Sequence, residues 1–179
     1  VSRLGVGDGM KVVVYDANGG ANAAMRAWFM FRAFGHADVA VLDGGLPKWL
    51  ADGRPTEDGP ERPTSQRDWR HFTPRDGGPK VAKIDDIRAN LEAARAVMVD
   101  ARSAERYAGT APEPRPSAKT GHVPGTRNIP FLSLLNPDKT VKSTAEIREI
   151  FAAAGVPLDE TPVIAMCGTG VTACVVAFA

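Results

Sequence analysis

The sequence predicts an α/β protein of two related modules, each a parallel sheet flanked by helices. Three observations carry this expectation. Short β-branched runs alternate with segments of near-helical apolar spacing, the order in which parallel sheets are built. A stretch of Pro, Gly, Asp, Glu, Arg, Thr and Ser without sustained periodicity separates two halves between Gly53 and Lys80. Finally, Val12-Val13-Val14-Tyr15-Asp16 is echoed by Val163-Ile164-Ala165-Met166-Cys167, with Gly19 falling on Gly170 in the loops that follow.

In order along the chain, Lys11 to Tyr15 reads as a buried parallel strand ending at Asp16. Met25, Trp28, Phe29 and Phe34 keep helical spacing, and Gly35 is placed to stop that helix. Val39 to Leu42 reads as a second buried strand, and Asp43-Gly44-Gly45 turns the chain into a short helix from about Leu46 to Ala51. After the linker come a helix around Ile84 to Leu91, a strand at Val97 to Asp100, and a long Gly/Pro loop from Ala108 to Gly125. Ser143-Thr144-Ala145-Glu146 has the pattern of a capping box and predicts a helix to about Ala153, stopped by Gly155. Val163 to Met166 is a strand that delivers Cys167 at its carboxyl end, and Ala173 to Ala179 reads as the start of a helix.

The division expected is therefore 1–53 for a partial first module, 54–80 for the linker and 81–179 for the second module. The first module lacks a counterpart of roughly 81–151, and the second lacks a counterpart of 39–50, so the first is expected to be incomplete and the second clipped at its C-terminus. The composition of the 179 residues, 44% hydrophobic and 24% charged, is that of an ordinary globular chain. A formal net charge of +1 supplies no global field for nucleic acid or an acidic membrane surface, so any anion recognition must be local. No apolar run reaches the length of a membrane span and no secretory pattern opens the chain, giving the expectation of a soluble, cytoplasmic protein. The two cysteines are too few for a disulfide scaffold and lack paired metal-ligand spacing.

Chemistry concentrates in Cys167-Gly168-Thr169-Gly170-Val171-Thr172, between a strand and a helix start. Ligands of open α/β sheets collect at strand carboxyl ends, and a loop of small residues there can aim several backbone N–H groups inward. Such amides favour a thiolate, while the glycines at 168 and 170 permit the tight backbone path. The local pattern leaves two readings of Cys167: a nucleophile, or an inert buried thiol at a strand end. Cys174, among Ala173, Val175 and Val176, reads as core. Arg102, Arg106 and Arg115 follow the strand ending at Asp100; they read either as carboxylate ligands, for which the guanidinium fork is suited, or as surface charges pairing with Glu105 and Glu113. In the turn-rich Gly121-His122-Val123-Pro124-Gly125, His122 is either a base or, as the neighbouring Pro and Gly suggest, a residue that fixes the loop.

Together, Asp100-Ala-Arg102, Gly121-His-Val-Pro-Gly125 and the cysteine loop resemble a domain of the rhodanese superfamily. Within it, the neutral loop Cys167 to Thr172 is similar to that of 3-mercaptopyruvate sulfurtransferases, whereas thiosulfate sulfurtransferases carry basic residues after the cysteine. Arg106-Tyr-Ala-Gly-Thr-Ala-Pro-Glu-Pro-Arg115, Trp28 to His36 and Leu42 to Trp49 extend the resemblance over most of the chain. It implies tandem rhodanese-like modules in which Cys167 attacks the donor sulfur, Arg106 and Arg115 hold the substrate carboxylate and ketone, and the amides of the Gly168, Gly170, Val171 and Thr172 loop stabilise a persulfide. Thr169 would place a hydroxyl near the reacting sulfur. Pyruvate would leave, and a thiol acceptor such as thioredoxin, or cyanide, would take the sulfur in a second half-reaction. The resemblance implies no metal and no organic cofactor. The acidic residue and histidine that assist the hydroxyl in the family lie in a part preceding Val1, and no Asp or His of this sequence takes their place.

Two other readings compete. One is a thiosulfate sulfurtransferase on the same scaffold. The other is a sulfur- or partner-binding module without turnover. A cysteine-loop phosphatase or arsenate reductase is disfavoured because the loop lacks the terminal arginine that binds the oxyanion.

Overall fold

The computed structural model describes residues 1–57, 59, 68–115 and 119–179. The middle of the compositional linker, at 58 and 60–67, and positions 116–118 of the long loop lie outside the described residues. The chain divides into two compact units, Val1–Lys80 and Val81–Ala179.

In the first unit, after a single 3-10 turn at Ser2–Leu4, the order is β1 (Val12–Val14), α1 (Ala23–Ala33), β2 (Val39–Val41) and α2 (Gly45–Ala51). β1 and β2 pair in parallel, with Val12 opposite Val39 and Val14 opposite Val41. This is the expected strand, helix, strand, helix unit, with one correction. Neither strand is buried on both faces: Val13 is 56% exposed, and both strands alternate between half-buried and exposed positions. The β-branched run gave the strand but not its burial, because α1 covers only one face of this pair and period-2 alternation turns Val13 and Ala40 to the other. The turn into α2 requires glycine at 45. Its φ is 56°, and a Cβ there would lie 2.7 Å from the Asp16 carbonyl oxygen.

The described end of the compositional linker is part of this unit. Asp8 accepts from the Thr73 amide at 3.0 Å and from its hydroxyl at 2.6 Å, the Arg75 amide donates to the Phe34 carbonyl, and the Phe72 ring packs on Phe31 and His36. Its polar composition hid these anchors, which are single contacts without period.

The second unit runs α3 (Ile84–Ala93), β3 (Val97–Asp100), α4 (Ala104–Ala108), β4 (Arg127–Asn128), a 3-10 turn at Phe131–Leu134, α5 (Thr144–Ala153), β5 (Val163–Met166) and α6 (Ala173–Phe178). Its sheet has the order β4-β3-β5 with every pair parallel, Val97 facing Val163 and Asp100 facing Met166. The central strand β3 is the buried one: Val99 is fully buried, with Met98 and Asp100 close to it. Leu134, Ile129 and Val175 complete the core around it. Ser143 caps α5 as expected, its hydroxyl accepting from the Glu146 amide while the Glu146 carboxylate accepts from the Ser143 amide at 3.0 Å.

Candidate active site around Cys167

β5 ends at Met166 and the backbone turns immediately, so Cys167 stands at the carboxyl end of the sheet beside the end of β3. Gly170, with φ of 74°, makes the turn that brings its own amide back to the sulfur, N to Sγ 3.1 Å. The Thr172 hydroxyl and the amides of Thr169 and Ala173 also lie around Sγ and favour its thiolate. Burial pushes the thiol pKa up, but these donors outweigh it, the Thr172 hydroxyl most, and hold Cys167 below its ordinary value. The thiol is half-buried, reachable yet partly desolvated.

Cys174 behaves differently. It is buried in α6 and its Sγ contacts the Gly170 carbonyl at 3.2 Å, a core position as expected.

The first unit has a related cradle at the repeat position. The Asp16 carboxylate, at the end of β1, accepts from the amides of Asn18 at 2.8 Å, Gly20 at 2.9 Å and Ala24 at 3.0 Å. Burial raises its pKa, and the amides of Ala24, Gly20, Asn18 and Asn22 together lower it further. Both loops gather backbone donors around an anionic or ionisable end group, a carboxylate in one and a thiol in the other.

The arginines separate into three roles. Arg102 is structural: Nε and Nη2 clasp the buried Asp100 carboxylate, Nη2 to Oδ2 at 2.6 Å, while Nη1 bonds Glu113 at 2.8 Å and Nη2 the Gly121 carbonyl at 2.8 Å. Arg106 pairs with Glu113 as well, Nη2 to Oε2 at 2.5 Å, but its Nη2 also lies 3.0 Å from where a Cβ on Gly168 would sit. It is therefore against the cysteine loop. Arg115 is exposed on the loop before 116–118, and among the described residues no hydrogen bond or ion pair joins it to the Cys167 loop. His122 fixes the loop: its Nδ1 sits 2.8 Å from the Tyr107 carbonyl and its ring stacks on Tyr107 at 3.7 Å.

Of the loop residues singled out in the sequence, Thr169 reaches the sulfur through its backbone and Thr172 through its hydroxyl. Val171 serves the fold, its carbonyl accepting from the Cys174 amide. Glu113, read in the sequence only as a surface partner for an arginine, turns out to join Arg102 to Arg106. Its place between Pro112 and Pro114 was the available signal. Among the described residues no group of three or more His, Cys, Asp or Glu side chains is placed to hold a metal, and no helix is long and apolar enough to cross a membrane.

A family model described as the rhodanese-like domain matches residues 3–52 and 83–179, and the chain belongs to that family. Its two matched segments fall in the two units. The chain is 44% identical over 176 residues to human (Homo sapiens) 3-mercaptopyruvate sulfurtransferase, covering 98% of this chain and 58% of that protein. It is 40% identical over 181 residues to thiosulfate sulfurtransferase of Bos taurus, covering all of this chain and 59% of that one. Among solved structures it resembles SseA of Escherichia coli, described as a 3-mercaptopyruvate sulfotransferase, with a TM-score of 0.81 and 34% identity over 98% of this chain and 63% of that one. The chain thus spans less than two thirds of the length of these relatives.

Proposed function

We propose that this chain carries the sulfur-accepting site of a sulfurtransferase that takes sulfur from 3-mercaptopyruvate onto Cys167 and passes it to a thiol or to cyanide. The observation that supports this most is the convergence of the Thr172 hydroxyl and three loop amides on a half-buried thiol held below its ordinary pKa. In the first half-reaction the Cys167 thiolate attacks the donor sulfur and forms an S–S bond. The donor's C–S bond breaks, its electron pair leaves on carbon as the enolate, and the proton once on the donor sulfur returns to that carbon to give pyruvate. The persulfide keeps the negative charge, and the amides of Thr169, Gly170 and Ala173 are the groups to stabilise it.

Arg106 is the best-placed group to bind the donor carboxylate. Its Nη2 lies 3.0 Å from where a Cβ on Gly168 would sit, and its Nη1 has no protein partner among the described residues. Arg115 is a second carboxylate or ketone ligand in this proposal, supported by its Arg106-to-Arg115 motif. Thr169 is assigned a supporting hydroxyl beside its amide. In the second half-reaction an acceptor thiolate, such as that of a thioredoxin, attacks the outer sulfur, and Cys167 leaves as thiolate, giving ping-pong kinetics.

A thiosulfate donor is the second reading, favoured by the 40% identity to the bovine thiosulfate enzyme. The neutral Gly168-Thr169-Gly170 run argues against it, since no lysine or arginine follows the cysteine to meet a dianion. Comparing both donors at equal concentration, with pyruvate and thiocyanate counted, decides between them: faster turnover of 3-mercaptopyruvate is expected, and a preference for thiosulfate would reverse the assignment.

A further inference from the structure

Arg106 is held over the cysteine loop by a residue outside that loop. Its guanidinium bonds Glu113 twice, Nη2 to Oε2 at 2.5 Å and Nε to Oε1 at 3.4 Å. Glu113 cannot drift freely, because Oε1 also takes Nη1 of Arg102 at 2.8 Å. Arg102 in turn is clasped by Asp100 and the Gly121 carbonyl. Side-chain exposure falls along this row, from 25% at Arg106 through 14% at Glu113 and 12% at Arg102 to 2% at Asp100. The row is thus rooted at the buried end of β3, the strand paired with the one that delivers Cys167.

Two prolines narrow the conformations open to the backbone carrying Glu113. Pro114 restricts Glu113 to extended conformations, and Pro112 fixes its own φ one residue earlier. A carboxylate on so constrained a stretch is a mount rather than a mobile surface charge. An arginine left free would have to surrender its rotamer freedom when a donor arrives, whereas one already fixed does not. The four charges of the row, two acidic and two basic, also cancel, so attraction for an anionic donor depends on where Nη1 is held and not on a net positive field.

We propose that Glu113 is a positioning residue, which orients the Arg106 guanidinium against Gly168 and so sets the affinity of the site for carboxylate-bearing sulfur donors. The inference rests on the donor-binding role given to Arg106 above. It concerns affinity and not bond breaking, so its signature is in KM and in discrimination between charged and neutral reagents.

The test compares alkylation of Cys167 by iodoacetate and by iodoacetamide, near-isosteric reagents of which only the first carries a carboxylate, in the unchanged protein and in Arg106→Ala, Glu113→Ala and Glu113→Gln. KM and kcat with 3-mercaptopyruvate are measured in parallel, and thermal unfolding checks that each variant is folded. Glu113→Ala is expected to lower the iodoacetate-to-iodoacetamide rate ratio toward that of Arg106→Ala and to raise KM roughly tenfold, the scale of one charge-assisted hydrogen bond, with kcat within about twofold. Glu113→Gln, which keeps an oxygen for Nη2, restores the ratio. If Arg106→Ala lowers the ratio but folded Glu113→Ala leaves it unchanged or raises it, Glu113 merely screens charge and the inference falls while the role of Arg106 stands. If Arg106→Ala itself leaves the ratio unchanged, the donor-binding role of Arg106 fails, and the inference with it.

Discussion

Arg106 and Gly168 meet so closely that Nη2 lies 3.0 Å from the position of a Cβ at residue 168. That is tighter than ordinary van der Waals contact, so a side chain at 168 would press the guanidinium of Arg106 out of its present seat by a few tenths of an ångström. The absent side chain at 168 and the guanidinium are two parts of one surface.

Gly168→Ala is therefore expected to displace the guanidinium and raise KM for 3-mercaptopyruvate several-fold, with roughly unchanged iodoacetamide alkylation of Cys167, because the amides around the sulfur stay in place. Steady-state kinetics and alkylation rates check this. An unchanged KM would mean that Arg106 yields without consequence.

Thr172→Val removes the hydroxyl that does most to lower the Cys167 pKa while keeping the side chain's shape. Loss of that hydroxyl raises the Cys167 pKa, so the alkylation profile moves to higher pH and the rate near neutrality falls about 2- to 10-fold. In the unchanged protein the rate should fall as pH drops through the lowered pKa, since only the thiolate reacts. Thr169→Val, which leaves the Thr169 amide in place, should shift the profile less.

Asp16 gives a stability prediction for the first unit. Asp16→Ala strands amides that the carboxylate now accepts from, at a cost of about 1–3 kcal/mol measured by denaturant unfolding. The folded pKa is lowered, so the contribution of the charge is complete above the unfolded carboxylate pKa near ~3.9 and is lost as pH falls through the folded value. The stability gap between the unchanged protein and Asp16→Asn should accordingly narrow in strong acid. A gap independent of pH would contradict the charged cradle.

Much of this was legible in the sequence where physical signals are local and repeated. β3 and β5 match their expected bounds because each is a compact apolar run with clear flanks, and α5 is announced by Ser143 and Glu146. α4 and β4 were not foreseen. α4 is one turn capped by Ser103, and β4 has two residues, Arg127 and Asn128, held by pairing to β3, so neither shows a period. The sequence put Cys167 at the carboxyl end of a strand, where the structure also has it, but which loop groups lie around the sulfur depends on the turn at Gly170, which no local pattern shows. The split between Arg102 and Arg106 was likewise invisible, since both follow the same strand and only the fold decides which one the Asp100 carboxylate captures.

A core prediction separates fold from site. Leu134, fully buried beneath α6, should cost about 2–5 kcal/mol when replaced by alanine. At temperatures where that variant remains folded, alkylation of Cys167 should be nearly unchanged. A large loss of reactivity in the folded variant would show that the loop depends on this packing.

The central claim is that Cys167 carries the sulfur, and intact-mass measurement after brief exposure to 3-mercaptopyruvate tests it most directly, with Cys167→Ser and Cys174→Ser alongside and pyruvate counted in the same samples. The account predicts a gain of one sulfur atom matched by one equivalent of pyruvate, retained in Cys174→Ser and abolished in Cys167→Ser. No gain in the folded, unchanged protein, or a gain that survives Cys167→Ser, would contradict it.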